Sequence, residues 1–393
     1  MHVLLVCNMM ALGGAERYLI DLANSLVERG IRVTMAYEGP VLHKAGPVDE
    51  VHHLEIKLCR RFGSLGVFRP FFDWPLGFRF YNYMRKANVD IVNTVMIDSG
   101  IWCWLASRYL GVPIVHTPMT VFGNYPYMER FLFASTAGTK LLSFLGLDIL
   151  AASDYCAWEL VNRAKVPAGH IHVATTGVDL RRFRPRDADD RIKKELGLGP
   201  GPVIGSIGRL TRVKLGKVYR GKGNQKIIAA MPAILRICPE AQLLIVGDGP
   251  MREPFEAQVR DLQVQDNVIF AGWRTDTVEM MALMDAYIQT GDGPNLGLSA
   301  LQAMAQAKPL VVFASDELEK RMAEDTVQEG INGYIVPTKE PEKAGEIIGR
   351  MLTNSQKIKE MGLASRQLAE ERFDWDLHVS KVIEVYEKLR SKS

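Results

Sequence analysis

The sequence is short of the features that would place a protein at once. Its five cysteines, Cys7, Cys59, Cys103, Cys156 and Cys238, are scattered over 393 residues with no C-x-x-C pair. That spacing argues against a disulfide framework or a thiolate metal site and predicts reduced thiols in the core. Charge of either sign is also scarce in excess, because 48 Lys and Arg against 45 Asp and Glu leave a formal +3. Such a balance gives no case for nucleic acid, and no nucleic-acid-binding signature stands out. No apolar run reaches the roughly 20 residues of a membrane span, since "IWCWLASRYLGVPIV" is broken by Arg108. The opening "MHVLLVCNMM" lacks the basic region and cleavage site of a secretory signal. A cytoplasmic protein is expected.

What is present describes a globular chain, 47% hydrophobic and 24% charged, too long for one ordinary core. Short apolar runs alternate with helical patterns. "HVLLVC" (2–7), "IRVTMAY" (31–37), "VHHLEI" (51–56), "DIVNTVM" (90–96), "PIVHTPM" (113–119) and "LDILAAS" (147–153) are strand candidates. Continuous apolar strands between amphipathic helices predict an α/β fold with a doubly wound parallel sheet. The alternation breaks at "GVDLRRFRPRDADDRIKKELGLGPGP" (177–202), whose charge, proline and glycine suit an interdomain connection. It restarts with "VIGSIGRL", "AQLLIVGDGP", "NVIFAG", "AYIQT", "LVVF" and "GYIVPT" as strands. Two Rossmann-like domains follow, 1–180 and 200–374. In such sheets ligands bind beyond the carboxyl ends of the strands.

Several loops leave those ends. "NMMALGGAERYLIDLAN" carries Gly13 and Gly14 at a helix start, where backbone N–H groups can meet an anion; a plain tight turn would read the same. "IGRLTRVKLGKVYRGKGNQK" (207–226) holds Arg209, Arg212, Lys214, Lys217, Arg220, Lys222 and Lys226 and no acid. A charge run is often only a solvated face, but this one lies between a strand end and a helix N-terminus, which favours phosphate. Fixed cations there stabilise a diphosphate more strongly as its bond to carbon breaks. "IVGDGPMREP" reads as turn punctuation.

Taken in order, "LGGAERYLIDLANSLVERG", "TTGVDLRRFRP", "IGRL…GKGNQKIIAAMPAI", "LLIVGDGP", "VIFAGW", "LGLSALQAMAQAKPLVV", "EGINGYIVP" and "FDWDLHVSKVIEVYEKL" resemble the retaining GT-B glycosyltransferases called group 1, or family 4. The resemblance implies two Rossmann-like domains facing a central cleft, with the final helix (about 375–393) crossing back onto the first. It implies a nucleotide-sugar donor, most simply a UDP-sugar, held by the second domain and an acceptor held by the first. Arg209 and Lys222 match the cations that clamp the donor diphosphate. Gly13 and Gly14 match the glycine loop at the reaction centre, and His116 matches a position on the acceptor side. For His116 the other reading is a hydrogen-bonded core histidine. Backbone N–H groups of Asn295, Leu296, Gly297 and Leu298 would line the diphosphate at a helix N-terminus. Neither metal nor cofactor is expected, because side-chain cations do that electrostatic work. Retention implies attack on the face the phosphate leaves.

The chain departs from the pattern in three places. Two glutamates separated by seven residues usually read the donor; here those positions hold Pro294 and Gln302. Gln302 can bond ribose hydroxyls through its amide, without the strength of a charged acceptor. Pro294 offers no acceptor, which leaves Asp292 or Asn295 to serve. The insertion "TRVKLGKVYR" could be a flap, an acceptor contact or surface ornament, and "SDELEKRMAEDTVQEG" lacks the usual Gly-Gly-x-Pro-Glu turn. Residues 60–86 gather six basic residues, one acid and nine aromatics. That mixture suits a peripheral membrane contact at the inner face, or aromatics packed into the core beneath solvated cations. The expected activity is glycosyl transfer to a small or lipid-linked hydroxyl. The competing reading is a catalytically silent GT-B protein that binds nucleotide or glycan, or serves as a partner subunit. A nucleotide-sugar epimerase of similar architecture fits the motif series less well.

Overall fold

The structure is a computed structural model that describes residues 1–9, 14–38, 49–55, 74–95, 97–118, 143–215, 218–221, 223–289 and 297–392. The chain divides into two compact units, Met1–Thr176 with Leu377–Ser393, and Gly177–Asp376.

The first unit is built on strands β1 (His2–Met9), β2 (Arg32–Glu38), β3 (His52–Glu55), β4 (Ile91–Thr94), β5 (Ile114–His116), β6 (Asp148–Ala151) and β7 (Ile171–Val173). They form one sheet in the order β3-β2-β1-β4-β5-β6-β7, with every pairing parallel. β7 was not among the sequence candidates; only His172 of its "IHV" is buried, so a periodicity search sees little there. Leu4, Val6, Ala36 and Val92 face a core that includes Phe80 and Met84 of the helix Trp74–Ala87 and Trp102 and Cys103 of the helix Ile97–Leu110.

The second unit holds β8 (Val203–Ile207), a ribbon of β9 (Arg212–Leu215) and β10 (Val218–Gly221), then β11 (Gln242–Val246), β12 (Val268–Gly272), β13 (Ala286–Gln289), β14 (Leu310–Ala314) and β15 (Gly333–Pro337). Its main sheet runs β12-β11-β8-β13-β14-β15 and is parallel throughout. Side chains alternate across the pleat. Leu243 and Ile245 of β11 therefore join one core, with Ile227, Met231 and Ile234 of the helix Asn224–Ile237. Leu244 and Val246 join the core on the other face, with Ala300, Leu301 and Met304 of the helix Leu298–Ala305. Both faces are covered, which is why the strands read as unbroken apolar runs.

Residues 177–202 are not a connection. Val178, Phe183 and Leu198 are buried in the second unit's core, and the Val178 N–H donates to Phe373 O at 2.7 Å while Trp375 N–H donates to Val178 O at 3.1 Å. The charged residues between those anchors stay outside, so composition alone resembles a linker. The inserted segment after β8 forms the antiparallel ribbon, with Leu215 paired to Val218 and Arg212 to Gly221. Among the described residues no helix is long and apolar enough to cross a membrane.

Candidate active site

The order of the second sheet reverses between β8 and β13, whose chain continuations leave in opposite directions. A doubly wound sheet opens a crevice at such a point, beyond the carboxyl ends of its strands. β8 and β13 pair only through Ala286 with Ile204 and Tyr287 with Gly205. Beyond Gly205 the ladder ends and the two chains diverge.

One wall of the crevice is the turn after β8, Gly208-Arg209-Leu210, which presents Arg209 as an exposed residue. This turn rests on a second turn, Gly247-Asp248-Gly249, at the end of neighbouring β11. Gly208 N–H donates to Val246 O at 3.0 Å, Leu210 N–H to Asp248 O at 2.9 Å, and Met251 N–H back to Leu210 O at 2.9 Å. The contact is backbone on backbone: a Cβ at Gly247 would lie 2.1 Å from Gly208 O, and one at Gly249 2.4 Å from Leu210 O. The sequence showed G-D-G as punctuation. Its structural use is to seat the arginine turn, and only the pairing of β8 with β11 reveals that.

The other wall is the helix Leu298–Ala305, with Gly297 at its N-cap at a φ of 61°. A Cβ on Gly297 would come within 2.6 Å of the Gln289 amide at the end of β13. Leu298 opens the helix and Gln302 follows one turn later, half-buried. The first N–H groups of a helix have no partner one turn back, so this end attracts anions; here Ala300 N–H donates to Gly297 O at 2.8 Å. Arg209, Gly297, Leu298 and Gln302 thus belong to elements flanking one switch point. Lys222, Asp292, Asn295 and Leu296, with Pro294, lie outside the described residues.

In the first unit Gly13 lies outside the described residues, and Gly14 is the first residue of the helix Gly14–Glu28 that follows β1. His116 ends β5 and is 1% exposed. Burial lowers its pKa to about 4 against the opposing effect of the Thr94 backbone; the Thr94 hydroxyl lies 3.1 Å from Nδ1. The ring is therefore neutral at pH 7. Beside it Asn93 is fully buried; its amide donates to the Tyr386 hydroxyl at 2.6 Å and its carbonyl accepts from Thr117 at 2.9 Å. Tyr386 belongs to the final helix, Trp375–Arg390. His378 of the same helix places Nδ1 2.9 Å from Thr175 O and Nε2 3.0 Å from the Tyr18 hydroxyl. A carbonyl only accepts, so Nδ1 carries the proton and Tyr18 donates to Nε2. Burial holds the His378 pKa at about 4. These polar anchors were invisible to motif reading, because Asn93 and Tyr386 are 293 positions apart.

Comparison with known proteins shows the family and the fold. Residues 12–182 match Glycosyltransferase Family 4, and residues 189–368 match Glycosyl transferases group 1. The chain is 23% identical over 386 residues to the N-acetyl-alpha-D-glucosaminyl L-malate synthase of Bacillus anthracis, covering 96% of this chain and 94% of that one. It is 28% identical to the D-inositol 3-phosphate glycosyltransferase of Segniliparus rotundus, over 95% of this chain and 84% of that one. Its fold is that of Anabaena HepE crystallised with UDP, at a TM-score of 0.79 and 19% identity, over 99% of this chain and 100% of the other. With one match in each unit and two parallel α/β sheets of the GT-B type, the chain belongs to the group 1 / family 4 glycosyltransferases.

Proposed function

We propose that this glycosyltransferase moves a hexose from a UDP-sugar to a hydroxyl acceptor with retention of anomeric configuration and without a metal ion. The observation that carries the reading is the pairing, at one switch point, of the Arg209 turn with the N-terminus of the helix Leu298–Ala305. Cation and free N–H groups there suit a diphosphate whose charge grows as the C–O bond to the sugar breaks. On this reading Arg209 and Lys222 stabilise the leaving UDP, the backbone of 295–298 cradles its phosphates, and Gln302 bonds the ribose. Asp292 takes over contact with the transferred sugar in place of the missing glutamate. The acceptor hydroxyl attacks the anomeric carbon on the face the phosphate leaves, and its proton passes to the departing phosphate oxygen. Gly13, Gly14 and His116 belong to the acceptor-facing part of the first unit.

The basic ribbon suits an acceptor bearing a phosphate or carboxylate, as the acceptors in the names of two relatives do, L-malate and D-inositol 3-phosphate. A lipid-linked acceptor would bring residues 60–86 to an anionic membrane. Of that segment 60–73 lies outside the described residues, and in the rest Phe78 is exposed beside the exposed Arg79, Arg85 and Lys86. Binding to phosphatidylglycerol vesicles at low salt, lost at high salt, is expected; no binding at low salt removes the membrane contact.

Incubation with UDP-, GDP- and ADP-sugars in EDTA, across acceptors with and without anionic groups, tests the main reading. Transfer from a UDP-sugar with the α linkage kept, and at least a 100-fold loss of turnover in Arg209→Ala, are expected. A near-normal rate for that variant removes the mechanism. UDP binding with no transfer to any acceptor favours the silent reading, which the proline at 294 makes specific.

A further inference from the structure

Where β8 and β13 part, the sheet leaves backbone groups without a ladder partner. Gly205 is the last residue of β8 paired to β13. In a parallel sheet the N–H and C=O of one residue point to the same neighbour and those of the next residue point to the other side. Gly208 N–H bonds Val246 of β11, so the amide and carbonyl of Ile207 face the β13 side, where pairing has stopped. A single hydroxyl meets both. Tyr287 is 1% exposed; its oxygen accepts from Ile207 N–H at 3.4 Å, and its O–H donates to Ile207 O at 3.3 Å. Ile207 leads directly into the Gly208-Arg209 turn, and Tyr287 lies in β13, the strand that precedes the helix Leu298–Ala305.

We propose that Tyr287 is a positioning residue of the donor site, whose hydroxyl holds the end of β8, and with it the arginine turn, against β13. The inference rests on the donor reading given above and adds a residue that the sequence motifs did not single out. Phenylalanine would fill the same core volume but satisfy neither backbone group of Ile207. The arginine turn would then move independently of β13, and diphosphate groups need their partners held to about 0.5 Å. Burial raises the Tyr287 pKa, against the hydrogen bonds from Ser299 and Ile207, so the hydroxyl keeps its proton throughout the neutral range.

The test uses the full chain, UDP as probe, and the variant Tyr287→Phe. Calorimetry should show UDP affinity about five- to tenfold weaker in Tyr287→Phe, with a melting temperature within a few degrees of the parent. With a working donor, KM should rise more than kcat falls. Hydrogen exchange at 207–210 should quicken in Tyr287→Phe, whether or not UDP is the ligand. Unchanged exchange there, or parental UDP affinity in Tyr287→Phe, overturns the inference. If the parent itself fails to bind UDP, the donor reading falls and the exchange measurement alone decides the role of Tyr287.

Discussion

Replacing Gly247 by alanine puts a single methyl group where the two crevice turns touch. Gly247 has a φ of 133°, and its added Cβ would lie 2.1 Å from Gly208 O. Neither side can yield easily. Gly208 N–H is bonded to Val246 O at 3.0 Å, and Gly247 N–H to Gly272 O at 2.8 Å, so both turns are pinned by strand-end hydrogen bonds and no side chain is available to swing away. The strained φ costs about 1–3 kcal/mol and the overpacking about 1–3 kcal/mol more. A total of about 2–6 kcal/mol in a unit of this size lowers its melting temperature by roughly 4–24 °C. Because Arg209 follows Gly208, an arginine displaced by about 1 Å should also lose about tenfold or more in UDP affinity. Thermal unfolding followed by circular dichroism and UDP calorimetry give the two readouts. Gly199→Ala is the control, since its Cβ would meet only the Gln242 amide at 3.5 Å. A Gly247→Ala protein that melts with the parent and binds UDP equally well would refute the seating of one turn on the other.

Gln302→Glu restores a charged acceptor and should tighten UDP binding by about 1 kcal/mol, roughly fivefold; unchanged affinity would separate Gln302 from the ribose. Tyr386→Phe leaves the buried Asn93 amide without its 2.6 Å partner and should destabilise the first unit by about 1–3 kcal/mol in urea denaturation. His116 and His378 have pKa values lowered by burial from 6.5 to about 4, so between those values the unfolded chain binds more protons than the folded one. Their contribution is complete above pH 6.5 and lost as pH falls toward 4. At pH 5 each should have withdrawn about 2 kcal/mol relative to pH 7.5. Urea midpoints at the two pH values check this, and equal midpoints would contradict the burial of both rings in neutral form.

Much of the fold was legible because parallel strands covered on both faces must be apolar along their whole length. "QLLIV" of β11 buries every residue and announces itself in the sequence. β7 does not, having only His172 buried, and residues 177–202 misled because their three core anchors are diluted by exposed charge. In the site, Arg209, Gly297, Leu298 and Gln302 were readable as motif positions. Tyr287 was not, because an aromatic residue in a buried strand looks like any other core residue until its hydroxyl is seen at the point where two strands diverge. Gly247 and Gly249 were readable as a turn but not as the seat of another turn.

The sequence by itself determined the strand and helix alternation, the family, and the chemical character of the groups offered to a phosphate, since these depend on residue type and local spacing. Only the tertiary structure decided which loops share a crevice, that Asn93, Tyr18 and Thr175 are the polar groups that hold the terminal helix in the first unit, and that one buried hydroxyl of β13 meets the end of β8. Those outcomes depend on strand order and on contacts between residues far apart in the chain, which no local pattern encodes.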